Sequence, residues 1–546
     1  MLIFIKAFIY IFYQFFKFQL SLISKTKKKI KEIESIKKHL ISEEKTKGKN
    51  KKNILLISFV HQPGYIYTDC LIVSSLNKFF DCNVHGLIDQ NDKQAENFLY
   101  MVGSTKNYFY KKSNLITKIR YLIYSYKYFK NLKNIDDLLN LKIDKIEVGR
   151  AIYENYIRNS NTALIRNIDF KILYFLSESC YLINFTQNLI KKNKYEYIII
   201  SERQFIPSNI IFQVSLKLGV KVISRIAGPK KIGVSICSSF KDRNKSEIRM
   251  GNKMFNSLKK NKIKYSRLGY LIVKNLLDGK VMNFDRNISK NYFLNDKKKR
   301  KKTSDFFEMT GLDKNKKNCF IFSHNLLDGN LFGKTRVIYY DYITWLRDTL
   351  NYINGLNSNI NWIIKEHPSD YGFTKMQTNT LNEFNKIITA KNIKFFPKNI
   401  KNSIIREIAD CVVTLGGSVG MEYPCFGIPS INSAGIFYSG YGFTNDFKNK
   451  KQYFNYLKNI ELVMKKKMSI HQIQKARMHY YLLHEIIKCD HNYLYDYDIS
   501  RKINDSFFYK KINTILKQKD ADKDFFSYFK KQIYDGKEFL VNESKL

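Results

Sequence analysis

No two cysteines of this sequence stand close together. Cys70, Cys82, Cys180, Cys237, Cys319, Cys411, Cys425 and Cys489 are spread along the chain without a CxxC pair, which argues against a zinc ribbon or a disulfide framework and for a reducing compartment. Several sit in apolar runs and read as small buried hydrophobes. Proline is scarce, at 7 residues in 546, while Lys, Asn, Ile, Tyr and Phe abound, a bias of the kind an AT-rich coding sequence imposes. Acidic residues are outnumbered too: 48 Asp and Glu face 94 Lys and Arg, a formal net charge of +46. A surface of that sign favours anionic partners, among them phospholipid, nucleotides, acidic glycans and nucleic acid. Compositional bias accounts for much of the lysine on solvated faces, and the basic run DKKKRKKTSD at 296–305 has no aromatic stacking platform beside it. Nucleic acid is therefore disfavoured, and the run reads as a solvated connection between domains.

A clean apolar run of membrane length is missing as well. Residues 1–24, MLIFIKAFIYIFYQFFKFQLSLIS, are apolar and aromatic but interrupted by Lys6, Gln14, Lys17 and Gln19. A spanning helix takes about 20 apolar residues with few charges, whereas a helix lying in the interface tolerates polar interruptions; this segment reads as interfacial. No small-residue cleavage site follows, so a signal peptide is disfavoured. The lysine-rich stretch 25–40 and a polar linker come next, and lysines beside an interfacial helix add about 1 kcal/mol each of attraction to anionic lipid. An ordinary solvated helix docked on the body is the plain alternative for 25–40. Residues 1–48 are thus expected to form a membrane-facing element and linker.

The rest of the chain is too long for one ordinary core, so two α/β domains with appended helices are expected. A strand at 53–59, a helix at 67–80 and a strand at 82–88 give the βαβ order of a parallel sheet. Residues 105–190 read as inserted amphipathic helices. Strand, helix and strand resume at 195–200, 207–218 and 220–224, with Gly219 suited to the helix end. After the linker, expected at 296–317, βα alternation is legible over 318–448: strands at 319–323, 360–365, 393–396, 411–415 and 430–432, with helices at 339–354 and 376–390, after Ser403, and from Ser418. The reading is an N-terminal Rossmann-like domain over 49–295, a second over 318–448, and a helical region over 449–546 packing across both.

In open parallel sheets ligands bind beyond the carboxyl ends of the strands, and in the second domain those ends are chemically loaded. The first carries SHNLLDG, with His324, Asn325 and Asp328; the second KEHP, with Lys365, His367 and Pro368; the third LGGSVGME, with Gly416, Gly417, Ser418 and Glu422. A Gly-Gly-Ser turn entering a helix offers amides and a dipole to an anion, though plain turn geometry explains it equally. Glu422, one turn on, would repel phosphate but can accept from both hydroxyls of a ribose; alternatively it complements the helix end. A strand-end cap is the plain alternative for His367. The three ends together point to one binding crevice.

The order SHNLLDGNLFG, YYDYITWLRDTL, NWIIKEHP and TLGGSVGMEYPCFGIPSI resembles bacterial capsule and surface polysaccharide biosynthesis glycosyltransferases of the GT-B superfamily, including the ketodeoxyoctonate (Kdo) transferase type. The likeness covers about residues 318–435, and more vaguely 50–240. It implies two doubly wound Rossmann-like domains with inserted and C-terminal helices, His367 and Ser418 on the nucleotide phosphate with Lys365 adding charge, and Glu422 on the ribose. Teichoic-acid polymerases of the glycerophosphate type share the HP turn, but usually have Asp-Tyr-Ser-Ser where this chain has Leu415–Ser418. That departure favours sugar transfer.

Glycosyl transfer needs a base for the acceptor hydroxyl and donors for the leaving phosphate. Glu202, directly after the strand at 195–200, is the first candidate base, followed by Asp69 and by Asp328; a surface ion pair for Glu202 and a turn role for Asp328 are the plain readings. No Asp-x-Asp pair stands at a strand end, so neither metal nor cofactor is expected beyond the nucleotide sugar or CMP-sugar as co-substrate. The expected partners are that donor, a glycan or lipid-linked acceptor, and an anionic membrane surface at the inner face of the cell membrane. The rivals are a phosphoalditol transferase, a nucleotide-sugar 2-epimerase and a non-catalytic basic membrane-binding protein.

Overall fold

The computed structural model describes residues 2–22, 32–41, 51–60, 63–90, 92–110, 114–228, 231–278, 280, 302–329, 331, 333–334, 336–367, 384–491, 505–517 and 523–546. The chain forms two compact units: unit 1 is Met1–Asn159, Ile165–Arg243 and Lys488–Glu543, and unit 2 is Ser160–Leu164, Asn244–Ile487 and Ser544–Leu546. The main division thus falls at Arg243/Asn244 rather than at 295. The C-terminal region expected as one block over 449–546 is shared out, its residues up to Ile487 joining unit 2 and Lys488–Glu543 joining unit 1.

Unit 1 begins with helices α1 (Leu2–Leu22) and α2 (Glu32–Leu40). Then come β1 (Lys52–Ser58), α3 (Pro63–Phe79), β2 (Cys82–Ile88), α4 (Lys93–Met101) and β3 (Lys106–Phe109). The inserted helices follow as α5 (Leu115–Phe129), α6 (Ile135–Asn140), α7 (Val148–Ser160) and α8 (Phe170–Asn193), and the sheet resumes with β4 (Tyr197–Ile199), α9 (Ser208–Lys217), β5 (Lys221–Gly228) and β6 (Lys231–Cys237). Side-chain caps start four of these helices: Asp92 accepts from the Ala95 amide at 2.9 Å, Asn114 from that of Thr117 at 2.8 Å, Asn134 from that of Asp137 at 2.9 Å, and Asp169 from those of Lys171 and Ile172. The strand order β3-β2-β1-β4-β5 is parallel, with Leu55 opposite both His85 and Ile198. β6 and the short strand Cys489–Asp490 extend it antiparallel. Ile54, Leu55 and Leu56 are fully buried, as expected of a strand covered on both faces.

The described part of the basic stretch 25–40 is a packed helix. Ile36 and Leu40 of α2 lie in the unit 1 core, and the Ser74 hydroxyl donates to the Leu40 carbonyl at 2.6 Å. Ser35 donates to Asn513, in the helix Asp505–Leu516, at 2.7 Å. Its charges suit the helix ends, with Glu32 and Glu34 in the first turn and Lys37, Lys38 and His39 in the last. Residues 23–31 and 42–50 lie outside the described residues.

Unit 2 holds a parallel sheet of β7 (Lys317–Phe322), β9 (Ile360–Lys365), β10 (Ile393–Phe395), β11 (Cys411–Thr414), β12 (Ser430–Asn432) and β14 (Asn445–Asp446), together with an antiparallel pair, β8 (Arg336–Val337) and β13 (Ala434–Gly435). The order β10-β9-β7-β11-β12-β14 is, numbered along the sheet's own strands, the 3-2-1-4-5-6 of a doubly wound Rossmann sheet. Cys319 of β7 faces Trp362 on one side and Cys411 on the other. The expected linker 296–317 is partly element: the helix Thr303–Thr310 sends Phe306 into a core with Phe320, Ile363, Phe396 and Val412. Residues 296–301 and most of the helix expected at 376–390 lie outside the described residues.

Because Ile36 is fully buried in the unit 1 core, Ile36→Ala should lower the unfolding free energy of that unit by about 2–5 kcal/mol. Urea unfolding followed by circular dichroism measures it; a change below about 0.5 kcal/mol, the range of surface substitutions, would place α2 off the core.

Candidate functional site

The 3-2-1-4-5-6 order has its switch point between β7 and β11, where strands on either side wind in opposite directions and leave a crevice at their carboxyl ends. Unit 2 has a cavity of about 250 Å³ there. Its walls include Ser323 and His324 after β7, Lys365, Glu366 and His367 at the end of β9, and Thr414, Gly417, Ser418 and Glu422 at and after β11. All three loaded strand ends therefore meet in one cleft. Arg406, from the short helix Ile405–Ile408, and Tyr423 line it as well, with Leu276, Leu277 and Val419 among the apolar residues.

Backbone and side-chain hydrogen bonds lock the cleft floor. The Ser323 hydroxyl accepts from the His367 amide at 3.0 Å, so the exits of β7 and β9 are tied together. Thr414, the last residue of β11, accepts from the Gly417 amide at 3.0 Å and the Gly416 amide at 3.4 Å. His324 Nε2 stands 2.9 Å from the same hydroxyl. With both lone pairs of that oxygen facing the two amides, the arrangement favours the hydroxyl as donor and Nε2 as acceptor, which leaves the ring proton on Nδ1. The imidazole is stacked on Tyr342, with centroids 4.2 Å apart and planes within 9°. Burial, and after it the charge of Lys334, holds His324 well below the usual histidine range, so the ring is a neutral donor. Lys334 is itself buried, 4.5 Å from the Tyr342 ring. A Cβ at Gly417 would stand 3.1 Å from both His324 and Thr414, so a side chain there would press on the pair by a few tenths of an ångström.

His367 is pushed down to about 4, first by burial; Asp328 opposes the shift and Lys365 adds to it. Glu422 is pushed up to about 7 by burial, against a hydrogen bond with Ser418. Near neutrality it exchanges between an acceptor and a donor, a pair of roles that a sugar diol can use. Lys365 and Arg406 supply positive charge, and Arg406 is oriented by Asp278 at 2.5 Å. The cleft can thus hold an anion through neutral histidines and flanking cations, and a hydroxylated group against Glu422.

Other expected residues have different places. Asn325 accepts from the Leu327 amide at 3.0 Å and shapes its turn; it and the exposed Asp328 are not part of the cleft wall. Pro368 lies outside the described residues. Gly416 belongs to the turn but not to the wall. Ser418 enters only one α-helical turn, Val419–Glu422, before the chain tightens into the 3-10 segment Tyr423–Phe426, so the helix dipole expected to favour an anion is much reduced. In unit 1, Glu202 accepts from the Gln204 amide at 3.0 Å. Asp69 is buried, bonded by the Ser201 hydroxyl, with Arg225 Nε at 3.6 Å; burial pushes it up to about 6, against Arg225 and Ser201. Glu366 belongs to the KEHP strand end read from the sequence, whereas Thr414 and Arg406 were not anticipated as wall residues. Thr414 is found by extending the strand-end rule to the last residue of the strand, and Arg406 follows the exit of β10.

No protein-family model matches the chain, and no curated protein matches it. Among solved structures it is similar to a β-Kdo 2,4-transferase, KpsC of Thermosulfurimonas dismutans, at 11% identity and a TM-score of 0.30 over 52% of this chain and 79% of that one. It is similar to the UDP-GlcNAc 2-epimerase of Methanocaldococcus jannaschii at 13% identity and a TM-score of 0.25, over 80% and 98%. The calicheamicin glycosyltransferase CalG4 stands at 10% identity and a TM-score of 0.25, over 80% and 94%. Likenesses this distant leave the functional reading to the residues themselves.

The hydrogen-bond pattern predicts an Nδ1–H tautomer for His324 in the ligand-free protein, and a shift toward Nε2–H in Thr414→Val. Imidazole 15N chemical shifts report both; an Nε2–H ring in the unsubstituted protein would contradict the assignment. Glu422 predicts a pH effect of definite sign. From its ordinary value near 4.5 up to about 7 the native state holds a proton that the unfolded chain has released, so stability falls as pH rises through that window. Glu422→Gln should match the unsubstituted protein in stability at about pH 4 and exceed it by about 3 kcal/mol at about pH 8. A difference that does not vary with pH would refute the shift.

Proposed function

We propose that the chain is a GT-B glycosyltransferase that moves a sugar from a nucleotide-activated donor to a growing surface polysaccharide or lipid-linked acceptor, peripherally attached at the inner face of the cell membrane. The observation that carries this reading is the convergence of the ends of β7, β9 and β11 on one cleft at the switch point of unit 2. In it the donor nucleotide lies in that cleft. Neutral His324 and His367 donate to the phosphate, Lys365 and Arg406 offset its charge, and Glu422 holds the ribose hydroxyls. As the glycosidic bond to the nucleotide breaks, negative charge grows on the leaving phosphate, and fixed donors and cations stabilise it without reorganising.

A carboxylate takes the proton of the acceptor hydroxyl, and the candidates are Asp69, Glu202 and Asp328. Glu202 closes its own turn, and Asp69, pushed up to about 6 by burial, lies against Ser201 and Arg225, so it serves as the base only where the acceptor hydroxyl displaces that of Ser201. Asp328, exposed in its turn, ranks last.

Purified protein incubated with UDP-sugars, CMP-Kdo and CDP-glycerol, with and without glycan acceptors, tests the reaction. Acceptor-dependent release of nucleotide with a new glycosidic product is expected. Isomerised sugar without acceptor would identify an epimerase, glycerophosphate transfer an alditol transferase, and no turnover or nucleotide binding a non-catalytic protein. His367→Ala and Glu422→Ala should each weaken nucleotide binding by about 1.5 to 3 kcal/mol, or about 10- to 100-fold, in calorimetry; unchanged affinity in both variants removes the donor site. Asp69→Asn should cut turnover by about 100-fold or more at unchanged nucleotide affinity, and full activity in that variant would exclude it as the base.

A further inference from the structure

Helix α1 is apolar over most of its circumference, broken by Lys6, Gln14, Lys17 and Gln19, and unit 1 covers one side of it. Ala7 and Ile11 are buried, the Phe4 ring meets Tyr126 of α5 at 5.4 Å, and Tyr10 meets Phe170 and Tyr174 of α8 at 5.6 and 5.0 Å. On the opposite face Leu2, Ile5, Ile9, Tyr13, Phe16 and Leu20 recur at three- and four-residue steps, all exposed, Ile9 by 61%. Lys6 and Lys17 are exposed as well. Helix α5 exposes a second stripe in which apolar and basic residues alternate: Ile116, Arg120, Ile123 and Lys127. Neither helix contains an acidic residue.

We propose that α1 and α5 together form a lipid-contact face, on which unit 1 lies along an anionic bilayer with α1 parallel to the surface. The proposal deepens the membrane attachment included in the proposed function and rests on it. Two observations favour lipid as the occupant. An apolar stripe mixed with Lys and Arg, and with no acid, matches a surface that offers hydrocarbon behind negative headgroups. The same charges facing a second copy of this chain would repel, with no carboxylate on either helix to pair them. A lying helix is favoured over a spanning one because α1 is packed along one side by α5 and α8. A spanning α1 would carry these helices with it into hydrocarbon, and the Arg and Lys of α5 oppose that.

The test uses the full chain and vesicles of phosphatidylcholine with or without phosphatidylglycerol, at low and high salt. Binding that needs phosphatidylglycerol and weakens with salt is expected. Arg120→Gln with Lys127→Gln should weaken it about 30-fold, and Ile116→Ser with Ile123→Ser should weaken it at every salt concentration. In Ile123→Trp, the introduced indole should be quenched by lipid brominated near the headgroup. These positions are exposed, so retention of the unfolding midpoint confirms that each variant folds. Unsubstituted affinity in both double variants would remove α5 from the face. Binding indifferent to lipid charge and salt would overturn the lying orientation, and self-association without vesicle binding would assign the stripe to a second copy. Calorimetry with UDP and CMP on the same variants separates the two readings: failure to bind nucleotide with vesicle binding intact faults the donor cleft and leaves this face standing.

Discussion

Parallel strands must all deliver their carboxyl ends to one edge of the sheet, and the site in unit 2 depends on that constraint. Residues distant in sequence, His324, His367 and Ser418, become neighbours because β9, β7 and β11 run side by side in the same direction. The sheet alone would bring loops together without fixing them. Ser323 ties the exit of β9 to that of β7, and Thr414 ties the exit of β11 to His324. The cleft is therefore preorganised by bonds among its own walls, as a site that stabilises developing charge requires.

Burial then sets the protonation states. Two histidines in a cleft with Lys365, Arg406 and the nearby buried Lys334 would repel one another and these cations if charged, and desolvation keeps them neutral. The same desolvation works in the opposite sense on the acids: Glu422 in unit 2 and Asp69 in unit 1 both hold their protons to higher pH than free carboxyls do. Neutral imidazoles and proton-retaining carboxyls thus have a common cause, the burial of these side chains away from water.

Both sheets were legible in the sequence where strands are doubly buried. The runs at 82–88, 360–365 and 430–432 coincide with β2, β9 and β12, and the centre of β9, Trp362, Ile363 and Ile364, is apolar and fully buried as a strand covered on both faces requires. β3 and β6 escaped: β3 is a four-residue edge strand with no buried residue, and β6 is an antiparallel partner of β5 outside the βα alternation. Over 25–40 lysine abundance obscures the two apolar residues, Ile36 and Leu40, that dock α2, so the docked helix stood in the sequence only as the plain alternative. In the cleft, residue types after each strand were readable, but their roles depend on partners remote in sequence. Nothing local distinguishes Asn325, which shapes a turn, from His324, which is stacked on Tyr342 and bonded to Thr414.

Amide hydrogen exchange with and without a nucleoside mono- or diphosphate tests the central claim most directly, since it locates the ligand without presuming which sugar is carried. The account predicts slower exchange in the turns at 323–326, 365–367 and 415–423 when UDP or CMP is bound. Nucleotide binding that leaves all three unchanged and protects other segments would contradict it.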